Sequence, residues 1–215
     1  WQHAVAPNFS DPDNGVIYSL ATANGFLYAG TGNAQRGFQI WKTRAKGTPP
    51  FDWKPVLMDG AYRYNFNMAT AAMVEFKGAL YVGGGIPGFG YDKANDVGPA
   101  AAELIRIFPD NRWDLIFGTP RFTPDGLKVP LSAMGPGLDD PFNSVVWSMA
   151  VHNGSLYIGT HQWEPFQSLK NKDSSLHGGY QLWRSDDGEE WKVITLDAFG
   201  NPFATGLRTL LSTPY

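Results

Sequence analysis

Three segments share one pattern: Leu27-Tyr28-Ala29-Gly30, Leu80-Tyr81-Val82-Gly83 and Leu156-Tyr157-Ile158-Gly159. Each follows a two-residue pair, Asn24-Gly25, Lys77-Gly78 or Asn153-Gly154, and each pair follows a run that alternates apolar and polar residues. Alternation with period two is the mark of a half-buried strand. Asn-Gly and its relatives close tight hairpins, because glycine reaches positive φ without steric cost. The unit is therefore a hairpin used three times. A helical reading fails, since the segments break every eight residues or so.

Each hairpin is followed by two further strand-like stretches. After the first come Phe38-Gln39-Ile40-Trp41-Lys42-Thr43 and a strand around Trp53. After the second come residues 102–107 and 113–117, joined by Pro109-Asp110-Asn111. After the third come Tyr180-Gln181-Leu182-Trp183-Arg184-Ser185 and a strand from Trp191. A repeated period of four strands is the signature of a β-propeller blade. The predicted class is all-β, a β-propeller portion spanning 1–215, with four-stranded antiparallel blades at about 16–57, 68–117 and 144–195 and the first strand of a further blade at 206–215. Three blades and a stub do not close a ring. The sequence thus reads as part of a larger propeller whose other blades come from further chain or from a partner.

Composition fits this reading. Charged residues make up 17% of the 215, against about a quarter in average chains, while Gly 25 and Pro 16 supply turns. A net charge of -3 gives no case for nucleic acid. No run of about 18 apolar residues is present, so no transmembrane segment is expected. There is no cysteine, which removes disulfides and Cys-based zinc sites. The chain begins at Trp1 rather than Met and reads as processed or truncated; an extracellular or periplasmic location fits, with no signal peptide visible. Asn8 and Asn153 head Asn-x-Ser sequons, the latter read first as turn chemistry. Asp11-Pro12-Asp13-Asn14-Gly15 lacks the spacing and distal Glu of a calcium loop and reads as a turn.

The segment Ser185-Asp186-Asp187-Gly188-Glu189-Glu190-Trp191 resembles the Asp-box of sialidase-like propellers, Ser/Thr-x-Asp-x-Gly-x-x-Trp, with one residue missing between Asp and Gly. The resemblance implies a structural role for Ser185, Asp187 and Trp191 in holding the hairpin, away from the face that carries catalysis in that family.

Blade topology sorts the loops. Turns between strands one and two, and between three and four, share one face and are mostly short. The connections 58–67, 84–99, 118–143, 161–178 and 196–206 share the opposite face and are long. Long loops in a compact domain are usually functional or disordered. This face carries Tyr62, Tyr64, Phe66, Asn67, Phe89, Tyr91, Phe142, Asn143, His161, Gln162, Trp163 and Phe166. Aromatic and amide groups together suit a neutral glycan or a protein partner; the same aromatics also serve simply to pack the loops down. The residues selected for ligand or partner contact are Tyr64, Asn67, Tyr91, Asn143, His161, Trp163 and Arg208.

Catalytic chemistry finds less support. A glycosidase needs two facing carboxylates; Asp92, Asp96, Glu103, Asp125, Asp139, Asp140 and Glu164 lie on the right face, but none in a diagnostic motif. A sialidase-like site would need an arginine cluster, for which Arg36, Arg63, Arg121 and Arg208 show no supporting spacing. His152, His161 and His177 have no metal-ligand spacing, and no Gly-x-Ser-x-Gly elbow is present. The expectation is a non-catalytic ligand- or protein-binding propeller, standing alone or as an accessory subunit of a larger assembly, with no cofactor, no metal and no catalytic residues; the alternative is a sialidase-like glycan hydrolase.

Overall fold

The computed structural model describes residues 2–171 and 178–213. It is a β-propeller portion built from three four-stranded antiparallel blades. The first holds β1 (Asn14–Ala23), β2 (Phe26–Asn33), β3 (Ile40–Thr43) and β4 (Lys54–Leu57). The second holds β5 (Ala69–Phe76), β6 (Ala79–Gly85), β7 (Glu103–Ile107) and β8 (Trp113–Phe117). An added hairpin, β9 (Arg121–Thr123) and β10 (Gly126–Lys128), lies in the 118–143 connection, which the sequence had suggested was all loop. The third blade holds β11 (Asn143–His152), β12 (Ser155–Gln162), β13 (Leu182–Ser185) and β14 (Lys192–Thr195). Within each blade the strands pair in chain order. No helix among the described residues is long and apolar enough to cross a membrane.

The hairpin turns form as their residues demand. Asn24 and Gly25 have φ of 51° and 75°, Lys77 and Gly78 48° and 77°, Asn153 and Gly154 48° and 76°. Two successive left-handed residues make the type I′ turn, whose twist matches that of the flanking strands.

The Gly of Leu-Tyr-x-Gly is explained by the packing between blades. A Cβ on Gly83 would lie 2.7 Å from Val146 of the third blade, and one on Gly30 would collide with Thr70 of the second. One on Gly159 would lie 2.7 Å from Leu207. The inner strand of each succeeding segment thus presses against the second strand of the blade before it. Residues 206–208 take the place beside β12 that 69–71 take beside β2: His161 bridges Gly206 as Gly32 pairs with Ala69, and Ser148 Oγ donates to Leu207 O at 2.6 Å as Ser19 Oγ donates to Thr70 O at 3.1 Å. Beyond Gly206 the described residues to 213 carry no strand, and Pro214 and Tyr215 lie outside the described residues.

The second blade is sandwiched. Leu80, Val82, Ile105, Ile107 and Leu115 face the first blade with Tyr28, Phe38 and Ile40. Tyr81, Leu104, Ile116 and Phe117 face the third with Val146, Leu156 and Ile158. Successive side chains point to opposite faces of a strand, so a blade covered on both sides reads as continuous apolar sequence, as β6 does. The free flank of the first blade differs: Val16, Ile17, Tyr18 and Leu20 are 44–60% exposed.

Under the long-loop face each blade carries the same buried polar layer. Asn14, Asn67 and Asn143 occupy equivalent positions just before or at the inner strand, and Gln39, Glu103 and Gln181 precede or begin the third strand; all six are buried. Gln39 Oε1 accepts from Asn14 Nδ2 at 2.8 Å and from Trp41 Nε1 at 3.0 Å, and Gln181 Oε1 accepts from Trp183 Nε1 at 3.0 Å. Asp11 and Asp140 close the layer by accepting from Gln39 Nε2 and Gln181 Nε2 at 2.5 and 2.6 Å. The second blade substitutes a charge. Glu103 accepts from Asn67 Nδ2 at 2.8 Å and Thr119 N at 2.7 Å, and lies against Arg63 and Arg121 at 3.3 and 2.9 Å.

Candidate functional site

All three inner strands slip register by one residue at the same place. Ile17 pairs with Thr31 and Ser19 with Gly30, leaving Tyr18 unpaired. Thr70 pairs with Gly84 and Ala72 with Gly83, leaving Ala71. Val146 pairs with Thr160 and Ser148 with Gly159, leaving Trp147. A bulge re-aims the side chain of its extra residue. By the equivalence of Leu207 with Thr70 and Val146, Arg208 stands at the same position of the next segment. Tyr18, Ala71, Trp147 and Arg208 converge on one pocket of about 350 Å³, with Pro87, Gly88, Val145 and His161 as the remaining lining. That volume lies at the low end of the range for small-ligand sites, about 300–1,000 Å³.

The pocket is aromatic and carries one cation. The Arg208 guanidinium lies over the Trp147 ring at 5.3 Å. His161 meets the same ring edge-on, with centroids 4.9 Å apart at 86°. Gly206 backs Trp147 so closely that any side chain there would collide with the indole. Ser144, the unpaired residue of an earlier slip in β11, donates its hydroxyl to Gly88 O at 2.8 Å and meets His161 Nδ1 at 2.9 Å. That leaves Nδ1 as the donor to Ser144 Oγ and Nε2 as the acceptor. Burial pushes the His161 imidazole below its ordinary value, against a smaller upward pull from the Gly88 backbone. Among the described residues no carboxylate lines this pocket.

Of the residues selected from sequence, His161 and Arg208 meet here. Tyr64 is exposed on the 3-10 turn Tyr64–Asn67, and Tyr91 bonds Asp96 within its own loop. Trp163 packs against Phe142, with ring centroids 4.8 Å apart. Asn67 and Asn143 do not reach the open face; their amides are bonded inside, to Gly60 O and Glu103 and to Gly137 O. Phe89 and Phe166 likewise pair with each other, at 4.9 Å and 70°. Tyr18 and Trp147 were missed, because a bulge leaves no mark in one strand's alternation. The polar layer did leave a mark, since Asp11-Pro12-x-Asn14 recurs as Asp140-Pro141-x-Asn143; read alone, the first copy looked like a turn.

The candidate carboxylates are spread out. Glu103 is buried between two arginines, Asp139 accepts from Gly135 N at 2.7 Å, and Asp125 sits in the β9–β10 turn. Asp92 accepts from Asn95 Nδ2 at 2.7 Å. Asp140 and Glu164 do come together, both within 3.4 Å of Gln162 Nε2. The arginines are not a cluster at the pocket: Arg36 pairs with Asp59 at 3.0 Å, and Arg63 and Arg121 with Glu103. His177 lies outside the described residues. Among the described residues no group of three His, Cys, Asp or Glu could hold a metal.

The hairpin of Ser185, Asp187 and Trp191 lies on the other face. Gly188 N donates to Ser185 Oγ at 2.7 Å, and Asp187 Oδ1 accepts from Ser185 Oγ, Glu189 N and Glu190 N at 3.0, 2.9 and 2.8 Å. The backbone N–H of Glu189, then that of Glu190 and the Ser185 hydroxyl, hold the Asp187 carboxyl below its ordinary value against a modest burial penalty. Trp191 meets Phe117 of the second blade edge-on at 6.3 Å. Arg106 Nη1 reaches Glu189 at 2.8 Å, and Gly188 leaves no room above the Tyr81 hydroxyl.

No family model and no curated protein matches the chain. Among solved structures it is similar to the GH32 β-fructofuranosidase of the silkworm Bombyx mori, at 11% identity and a TM-score of 0.43, and to a variant of that enzyme in complex with sucrose, at 14% and 0.42. In both cases the match covers 90% of this chain and 39% of the other.

Proposed function

We propose that this chain is a non-catalytic binding module that takes a small ligand or a partner side chain at its long-loop face, in the pocket of Tyr18, Trp147, His161 and Arg208. One observation carries the reading: four successive repeat segments direct their one free position into the same pocket, and two of the three bulky side chains there are aromatic. Aromatic walls with a few fixed polar groups are the usual makeup of a small-ligand site. The test is a screen of neutral glycans and peptides against the whole chain, read by binding and by tryptophan fluorescence. Trp147→Ala and Arg208→Gln should each weaken a true ligand by about tenfold or more, the scale of a lost hot-spot residue. Binding that survives both changes would move the site elsewhere.

The second reading, a glycan hydrolase, draws on Asp140 and Glu164, the two carboxylates brought together by Gln162. In retaining glycosidases such a pair stands about 5 Å apart. Against it, Asp140 has a counterpart in Asp11, which bonds Gln39 as Asp140 bonds Gln181, so the polar layer alone accounts for Asp140. Release of an aryl leaving group from chromogenic glycosides, abolished by Glu164→Gln, would decide for the hydrolase.

A further inference from the structure

The strand-three-to-four turns of the first and third blades are equivalent in the repeat and opposite in charge. The third carries Asp186, Asp187, Glu189 and Glu190 before Lys192; the first carries Arg44 and Lys46 against Asp52, before the matching Lys54. With Phe26, Lys42, Thr43 and Ala45, these four residues line a concavity of about 250 Å³ on the short-turn face. Two cations lie over Phe26: Lys42 Nζ lies 4.6 Å from its ring centroid and Arg44 Cζ 4.5 Å. An aromatic face favours both cations without neutralising either. Lys42 is fixed from behind, donating to Asn111 Oδ1 at 2.6 Å and Pro109 O at 3.2 Å. Asp52 is engaged with Lys54 at 3.2 Å. Among the described residues Arg44 and Arg208 are the arginines with no carboxylate partner; each of the others has one.

We propose that this concavity is an anion site for a doubly charged tetrahedral oxyanion, the phosphate group of a small monoester. Lys42 and Arg44 hold two positive charges against one ring, Lys46 adds a third on the rim, and the one carboxylate present, Asp52, is paired with Lys54. A guanidinium fork and converging ammonium groups are the usual donors to such oxygens. A tetrahedral ion with part of its water shell fits a space of this size, whereas a drug-sized body does not. Burial first, and the neighbouring Arg44 charge second, hold the Lys42 ammonium below its ordinary value, with Asp110 opposing; a bound anion relieves that crowding of positive charge. The chain as a whole is acidic, at -3, so the attraction is local and falls off over about 8 Å at physiological salt.

The experiment titrates the whole chain with inorganic phosphate and, separately, inorganic sulfate, with acetate as a singly charged control, by calorimetry and by NMR of the Lys42 side chain. Saturable binding of phosphate and sulfate is expected, weakened as salt rises, with Lys42 shifting upward in pKa. Arg44→Gln and Lys46→Gln, both at exposed positions, should each weaken binding by several fold and together by about tenfold or more, with Arg44→Gln also losing its contact with the Phe26 ring. Phosphate binding that strengthens through its second ionisation supports a site for the dianion; affinity unchanged through that ionisation overturns it. Equal affinity in the double variant, or no saturable binding of either ion while Arg208→Gln leaves that result unchanged, overturns the proposal.

Discussion

At the scale of single residues, Glu103 is costly to disturb. Its carboxylate is almost wholly buried and meets Arg63, Arg121, Asn67 and the Thr119 N–H. A buried charge is tolerated when every partner is present, and removing one member strands the others. Glu103→Gln leaves two buried guanidinium groups uncompensated and should cost about 3–5 kcal/mol, read by denaturant unfolding; the isosteric exchange Gln39→Glu, in the layer where Asp11 already stands, should also destabilise by setting two carboxylates together. His161 makes a different prediction. Its folded pKa is depressed by burial, so the unfolded chain binds the proton more readily. Its contribution is whole above the ordinary imidazole value of about 6.5 and is lost as pH falls through that value toward the folded one. Melting curves above and below that value should therefore diverge less in His161→Gln than in the parent chain.

At the scale of the element, the glycine of each second strand and the bulge of each first strand form one device. The glycine admits the next inner strand, and the bulge turns one residue of that strand out of the contact. Gly83→Val puts a branched side chain where Val146 already lies 2.7 Å from a built Cβ, and overpacking of this kind costs about 1–3 kcal/mol or more. The same change at Gly25, whose Cβ would meet nothing within 4 Å, should act through its positive φ of 75° instead, and Gly25→Asn should be milder than Gly25→Val in thermal unfolding. The hairpins were legible in the sequence because Asn-Gly and Lys-Gly set a turn locally, within two residues. The pocket was not, because Tyr18, Trp147 and Arg208 come from three distant segments and sit where alternation is interrupted. Arg208 and His161 were selected from sequence for their place on the long-loop face. Asn67 and Asn143 were chosen on the same ground, yet the local sequence holds no sign of whether an amide there turns outward or into the layer beneath.

For the whole molecule, protection follows from what lies on either side of a blade. The second blade is covered on both faces, while β1 of the first exposes Val16, Ile17 and Leu20 and the third ends in an exposed run with Val193 and Ile194. Amide exchange should therefore be slowest in β6 and β7 and faster in β1 and β14, since local opening tracks buried contact; uniform protection across the three blades would contradict this. The four-strand period and the face bearing the long loops could be read from spacing alone. The pocket could not, since it is built from one residue of each repeat segment. That division has a consequence for how such a chain can change over generations. The bulged residue takes no rung of the strand ladder, so Tyr18, Ala71 and Trp147 can be exchanged like type in a composing stick, altering the pocket they line while the frame that prints it stays the same.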